Sequence, residues 1–232
     1  MFNVNKIDEA TLIAIDTETC DPNLKTMGPG GFRKDGHIAG ISIATDSGYN
    51  EYFPINHQGG GNLNKEKVIS FLLYIYSKKK KLVFANAMYD VEWLYSLDNR
   101  LTLTRTHEIL DVLSIEHLLD ENKLKYSLNS LAKFYLRKSK YEVELEQAVL
   151  YKFGKRAKKE DVEDIIKFES KLIQVLFEMR KKGVRVDVDK AHKLYVELEK
   201  KQIHLQSKLN TLGGTLVNVW ANASLKEAYD KN

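Results

Sequence analysis

A single cysteine, Cys20, serves a chain of 232 residues. That excludes an intramolecular disulfide and a thiolate zinc site, so any metal must be held by oxygen or imidazole. Cys20 itself reads as a small filler, not a nucleophile. Long apolar runs are also missing. The longest mainly apolar stretch, Val68 to Tyr76, is too short to span a bilayer, and the N-terminus has no basic-then-apolar signal pattern. The expectation is a cytoplasmic protein with no membrane partner. No internal repeat occurs, and no low-complexity segment beyond runs of lysine. Neither sign of charge dominates: the net charge is +4 and the pI near 8.8. The positive charge is clumped at Lys78-Lys79-Lys80-Lys81, Lys155-Arg156-Ala157-Lys158-Lys159 and Arg180-Lys181-Lys182. Each run alone reads as a solvated helix end or loop, and three together leave a polyanionic partner open.

What is present is an α/β pattern. Leu12-Ile13-Ala14-Ile15-Asp16-Thr17-Glu18-Thr19 reads as a short strand ending in two carboxylates. Strand side chains alternate, so Asp16 and Glu18 share a face and Thr17 takes the other. Two acids that close raise each other's pKa unless a divalent cation lies between them, and hard oxygen ligands suit Mg²⁺ or Mn²⁺. A solvated acidic turn is the bland alternative. Further strands are expected at Ile38–Ala44, Tyr49–Ile55 and Leu82–Ala85, with helices at Lys65–Tyr76 and after Asn86. Asp90 therefore falls near the start of a helix that follows a strand, where open α/β sheets place ligand sites. Gly59-Gly60-Gly61-Asn62 lacks the ending of a phosphate loop and reads as a connection. His57, before it, could touch substrate but reads as loop surface. From Thr106 onward the pattern predicts helices almost throughout: Ile109–Leu119, Leu128–Leu136, Val162–Met179, Val188–Leu209 and Ser224–Tyr229.

Two strand-borne acids and a third at a helix start suit metal-dependent phosphodiester hydrolysis. Ile15-Asp16-Thr17-Glu18-Thr19 resembles the first block, and Asn86-Ala87-Met88-Tyr89-Asp90 the second, of the DEDD 3′-5′ exonucleases. Tyr126 to Ala132 and Met179 to Asp187 extend the resemblance to phage-like family A DNA polymerases over nearly the whole chain. It implies a ribonuclease H-like exonuclease fold, a mixed sheet flanked by helices, over residues 1–158. A helical segment at 159–232 would open a polymerase domain. It implies Asp16, Glu18 and Asp90 as catalytic metal ligands for Mg²⁺ or Mn²⁺, Asn86 as a contact to the terminal nucleotide, and Thr17 and Thr19 as the lining of the 3′-end pocket. Asn86 could instead cap its helix. Trp93 and Leu94 read as core, and Asp111 as a helix start, not a ligand. The implied partners are single-stranded 3′ ends or primer-template DNA, or a separate polymerase chain.

The departure from the family is its third block, Tyr-x-x-x-Asp. Tyr141 is followed four residues later by Leu145, and Tyr151 by Lys155. The text passes from Leu150–Gly154 to Phe168–Leu172, and Lys155 to Asp164 is too short for the missing helix. Asp161 or Asp164 could take the place of the fourth acid, in a stretch that otherwise reads as a solvated face. Without it the cation loses a ligand and the water its orienting group. With no palm or fingers the chain is not expected to polymerise alone. Two readings result: a weakened proofreading 3′-5′ exonuclease, or a nucleic-acid-binding or polymerase-assembly module that kept the fold. A ribonuclease of the same fold is a third.

Overall fold

In the computed structural model, residues 2–103, 107–137, 156–159 and 161–230 are described. Five strands, β1 (Leu12–Cys20), β2 (His37–Thr45), β3 (Asn50–Pro54), β4 (Lys81–Phe84) and β5 (Glu108–Asp111), form one mixed sheet in the order β3-β2-β1-β4-β5. β1, β2 and β3 make an antiparallel meander, and β4 and β5 add in parallel beside β1. The hairpin between β2 and β3 turns at Gly48, whose φ of 80° an L side chain adopts only under strain.

Alternation along β1 assigns the two faces. Ile13 and Ile15 join Ile41, Ile43, Phe53, Leu82, Phe84 and Ile109 in the larger core. Helices α3 (Lys65–Ser77) and α4 (Ala87–Leu97) cover that side with Val68, Leu72, Ile75, Val91 and Leu94. Each such fully buried aliphatic side chain contributes about 1.5–3 kcal/mol. On the opposite face Ala14, Ala44 and Val83 lie under α5 (Val112–Leu119) and α6 (Leu128–Leu136), which supply Ile115, Leu119 and Leu131. Two short helices, α1 (Val4–Glu9) and α2 (Leu24–Met27), complete the first part of the chain. The layer architecture is the α/β, ribonuclease H-like arrangement expected.

One strand was not legible in the sequence. Ile109 and Leu110 fall within an apolar run that reads as helix, yet β5 occupies Glu108–Asp111, in register with β4 from Lys81↔Glu108 to Phe84↔Asp111. Parallel pairing with a neighbour distant in sequence, not local periodicity, makes it a strand. β5 is a sheet edge, and α7 (Glu163–Lys182) covers it. Ser170 Oγ accepts from Ile109 N at 3.0 Å and donates back to Ile109 O, and Gln174 Nε2 donates to His107 O at 2.5 Å. The fully buried Phe177 ring lies 5.7 Å from that of Tyr95 and 6.1 Å from that of Phe32. Arg180 Nε stands 2.5 Å from the buried Glu92 Oε2, while Glu92 Oε1 accepts from Phe32 N.

The chain divides into two compact units after Lys182. The physical reason is α7, which completes the sheet unit although its sequence sits in the helical tail. The second unit contains α8 (Val188–Leu212) and α9 (Asn222–Asp230). Asp187 caps α8 by accepting from Lys190 N at 2.9 Å. Asn210 Oδ1 accepts from Val217 N and Gln206 Nε2 donates to Val217 O, tying the connecting loop to α8. No residue of α8 is buried, and Leu194, Leu198, Leu205 and Leu209 are exposed. No helix among the described residues is long and apolar enough to cross a membrane.

Candidate active site

β1 outruns its parallel neighbour. Pairing with β4 covers Leu12, Ile13 and Ala14 only, so Asp16, Thr17 and Glu18 extend past the end of β4, where α4 begins. The sequence placed the two acids at a strand end; the strand continues to Cys20, with a register shift between Glu18 and Thr19. Pairing with β2 sustains it there, since Asp16 faces Ser42 and Glu18 faces Gly40.

The start of α4 is held by Asp111 at the end of β5. Its carboxylate accepts from Asn86 N at 3.0 Å, Ala87 N at 2.9 Å and Leu113 N at 3.0 Å. One side chain thus satisfies orphan N–H groups at the first turns of both α4 and α5. Asp111 is a helix start, as its sequence context indicated. Asn86 sits at the N-cap of α4 with left-handed φ 77° and ψ 60°, and its side chain makes no capping hydrogen bond.

One turn further, Asp90 is only 2% exposed. Its Oδ1 accepts from Thr17 N at 3.0 Å and from Thr17 Oγ1 at 2.7 Å. The carboxylate takes up a backbone donor that β4 no longer reaches, and Thr17 is correspondingly buried. Thr19 Oγ1 shares a hydrogen bond of 2.5 Å with Tyr89 Oη, the residue before Asp90. Thr17 and Thr19 therefore engage α4. Trp93 and Leu94, read as core, are buried.

Asp16 and Glu18 occupy the other face of β1, the face that Ala14 shares with α5 and α6. Burial there ends at Ala14: Asp16 is half-buried and Glu18 exposed. Two rows cross the open stretch of sheet, Asp16–Ser42–Tyr52 and Glu18–Gly40–Pro54. Tyr52 leans from the first row onto the second. A Cβ on Gly40 would overlap the Tyr52 ring and hydroxyl, so only glycine admits this pose. Burial, then the negative charges of Glu18 and Asp16, push the Tyr52 phenol up from its ordinary pKa. Its Oη lies 2.5 Å from His57 Nε2. His57 is held in turn by Asn62, whose Oδ1 accepts from His57 N at 2.7 Å and whose Nδ2 donates to His57 O at 2.9 Å. Sequence reasoning passed over Tyr52 and His57 as strand and loop surface; the cross-strand register that joins them to the acids is not a local signal.

Among the described residues, no three or more His, Cys, Asp or Glu side chains gather closely enough to hold a metal ion. Asp16 and Glu18 share one face, and Asp90 faces Thr17. Asp161 is exposed at a left-handed φ of 57°. The Asp164 side chain is 95% exposed and pairs with Lys167 at 2.9 Å, and that hydrogen bond holds its carboxyl below the ordinary carboxylate value. Tyr141, Leu145, Tyr151 and Lys155, which bear on the third block, lie outside the described residues. Asp164→Ala is expected to leave stability within about 0.5 kcal/mol of wild type and any nuclease activity unchanged. Loss of activity in a digestion assay would instead give Asp164 the fourth ligand position.

Six side chains of the basic runs take partners within the fold. Lys78 Nζ pairs with Asp8 at 2.8 Å, Lys80 donates to Asp8 O, and Lys81 pairs with Glu108 at 2.9 Å. Arg180 pairs with Glu92, Lys181 with Glu178, and Arg156 donates to Tyr135 Oη and Leu119 O. These lysines and arginines make a weak case for a phosphate-binding patch.

No protein-family model matches the chain. It is 29% identical over 219 residues to a DNA-directed DNA polymerase of Pseudomonas phage M6, covering 78% of this chain and 32% of the relative. It is 24% identical over 263 residues to the DNA polymerase DpoZ of Salmonella phage PMBT28, covering 97% and 39%. DNA polymerase I of Pseudomonas aeruginosa matches at 28% over 137 residues, 57% of this chain and 14% of that one. The chain thus spans roughly a third of the phage polymerases it matches. Its fold is that of the polymerase domain of Pol1 from M. smegmatis, solved with DNA primer-template and dNTP, over 99% of this chain and 39% of that one, with a TM-score of 0.69 at 14% identity. It is also that of Brucella melitensis NrnC, solved with bound Mg²⁺, over 78% and 90%, with a TM-score of 0.58 at 14% identity. In sequence the chain is similar to part of the DNA polymerases of phages and bacteria, and its fold is shared with both a polymerase domain and the nuclease NrnC.

Proposed function

We propose that the chain is the 3′-5′ exonuclease region of a phage-type family A polymerase, removing terminal nucleotides from single-stranded or primer-template DNA 3′ ends. The observation that carries the reading is the placement of Asp16 and Glu18 side by side on an uncovered stretch of β1, beyond which α4 presents Asp90. The phage relatives support action in the cytoplasm of an infected cell; in this reading a polymerase domain starts near residue 159, and its first helix serves the exonuclease unit.

The donor set fits Mg²⁺ or Mn²⁺ held jointly with substrate, because Mg²⁺ is commonly bound by one or two carboxylates plus phosphate oxygens. Bound there, the cation would supply a water activated at neutral pH and charge neutralisation at the leaving oxygen. In this reading Asp16, Glu18 and Asp90 are the ligands, and Asp90 also holds β1 in place through Thr17. Thr19 orders Tyr89 beside the 3′-end pocket, and the uncapped Asn86 side chain reaches the terminal nucleotide.

A second reading has an observation of its own. No three-acid group forms among the described residues, and Asp161 and Asp164 stand in solvent, which favours a module that holds DNA without cutting it. Digestion of a 5′-labelled single-stranded oligonucleotide separates the two. The nuclease reading expects a ladder shortening from the 3′ end in Mn²⁺ and none in chelator. Intact oligonucleotide in Mn²⁺, with equal binding in Mn²⁺ and chelator, would leave only the binding module.

A further inference from the structure

Four residues outside the acid set converge on it: Gly40, Tyr52, His57 and Asn62. Gly40 is the register partner of Glu18, so the space above its Cα adjoins the Glu18 side chain. Tyr52 fills that space with its ring edge and hydroxyl. His57 fixes the hydroxyl at 2.5 Å, and Asn62 clamps the His57 backbone through both N–H and C=O. The glycine run between them closes the loop, with Gly60 and Gly61 at φ 83° and 72°, positions that disfavour side chains. A loop and a strand thus spend five side-chain and backbone groups on placing one phenol oxygen beside two carboxylates.

An anionic substrate explains the arrangement. A phosphodiester brought to Asp16 and Glu18 meets like charge, and a neutral hydrogen-bond donor on the facing wall offsets part of that repulsion. When His57 donates through Nε2–H to Tyr52 Oη, the phenol keeps its own proton for a further acceptor. We infer that Tyr52, oriented by His57 and Asn62 over Gly40, is a substrate-contacting residue that donates to a non-bridging phosphate oxygen of the nucleic-acid end held at Asp16 and Glu18. The inference rests on the nuclease reading above. It assigns a role to the glycine loop and to His57, which neither the acids nor α4 require.

The test is binding of a fluorescent single-stranded trideoxynucleotide with phosphorothioate linkages, in Ca²⁺, followed by anisotropy. Tyr52→Phe keeps the ring and removes the donor, and is expected to weaken binding about 10-fold, the effect of one hydrogen bond to a charged group. His57→Ala should weaken it to a similar extent, and the double variant no more than the single ones, since the two act as a unit. Gly40→Ala, which leaves both acids in the chain, should reproduce the loss by displacing Tyr52. Far-UV circular dichroism and melting verify that each variant is folded; His57 is exposed, so its variant stays informative if a strand variant does not fold. Affinity of Tyr52→Phe and His57→Ala within twofold of wild type overturns the inference. If wild type digests DNA in Mn²⁺ and Asp16→Ala does not, that result removes this inference alone. Absence of binding by wild type removes both it and the nuclease reading.

Discussion

Asp90→Ala is expected to lose both nuclease activity and about 2–3 kcal/mol of folding stability, whereas Asp16→Ala should lose activity alone. The two acids belong to the same proposed site but stand in different surroundings. Asp90 is buried and accepts from the Thr17 backbone and hydroxyl. Deleting it strands two buried donors, each costing about 1–3 kcal/mol when unsatisfied. Relaxation recovers part of that sum, and Asp90→Asn, which keeps an acceptor, should recover more. Asp16 is half-buried on the open face beside Glu18. Its removal relieves like-charge repulsion, so stability should stay within about 1 kcal/mol of wild type. If both are metal ligands, digestion in Mn²⁺ should fall by roughly 10³-fold or more in each variant, the size of loss seen when a group preorganised against developing charge is removed. Urea unfolding beside the digestion assay reads both quantities. An Asp90→Ala protein as stable as wild type would mean that Asp90 is not the anchor of β1.

Phe177→Ala is expected to cost about 3–5 kcal/mol, the range for deleting a fully buried aromatic ring. Phe177 belongs to the sequence that resembles the start of a polymerase domain, yet it is fully buried between Phe32 and Tyr95 of the sheet unit. The same helix supplies Ser170 and Gln174 to the free edge of β5. Its loosening should therefore expose that edge as well as a cavity, and lower the melting temperature of the sheet unit. Leu198→Ala, on the exposed face of α8, should change stability by no more than about 0.5 kcal/mol. Equal melting temperatures for Phe177→Ala and wild type would show that α7 is not part of the sheet unit.

The two substitutions also separate what is local in this protein from what is not. Alternation along Leu12 to Thr19 is a local property, so the shared face of Asp16 and Glu18 followed from sequence. So did the helices that begin at Lys65, Leu128 and Val188, which the structure shows capped by Asn64, Ser127 and Asp187. The α/β architecture and the position of Asp90 at a helix start were legible for the same reason: hydrophobic periodicity and caps act over a few residues.

Long-range contacts decided the rest. β5 is a strand because β4 pairs with it and Ser170 seals its edge, although its own residues fit a helical pattern. The unit boundary falls after Lys182 because Phe177 and Arg180 find their partners more than eighty residues upstream, in α4 and the loop before β2. Asp90 faces Thr17 because β4 ends before β1 does. Tyr52 meets the acid row because register across three strands carries it there and Gly40 leaves room. Sequence by itself determined which residues could carry the chemistry. Tertiary structure decided which of them share a space, since pairing register and helix docking depend on partners that no local window contains.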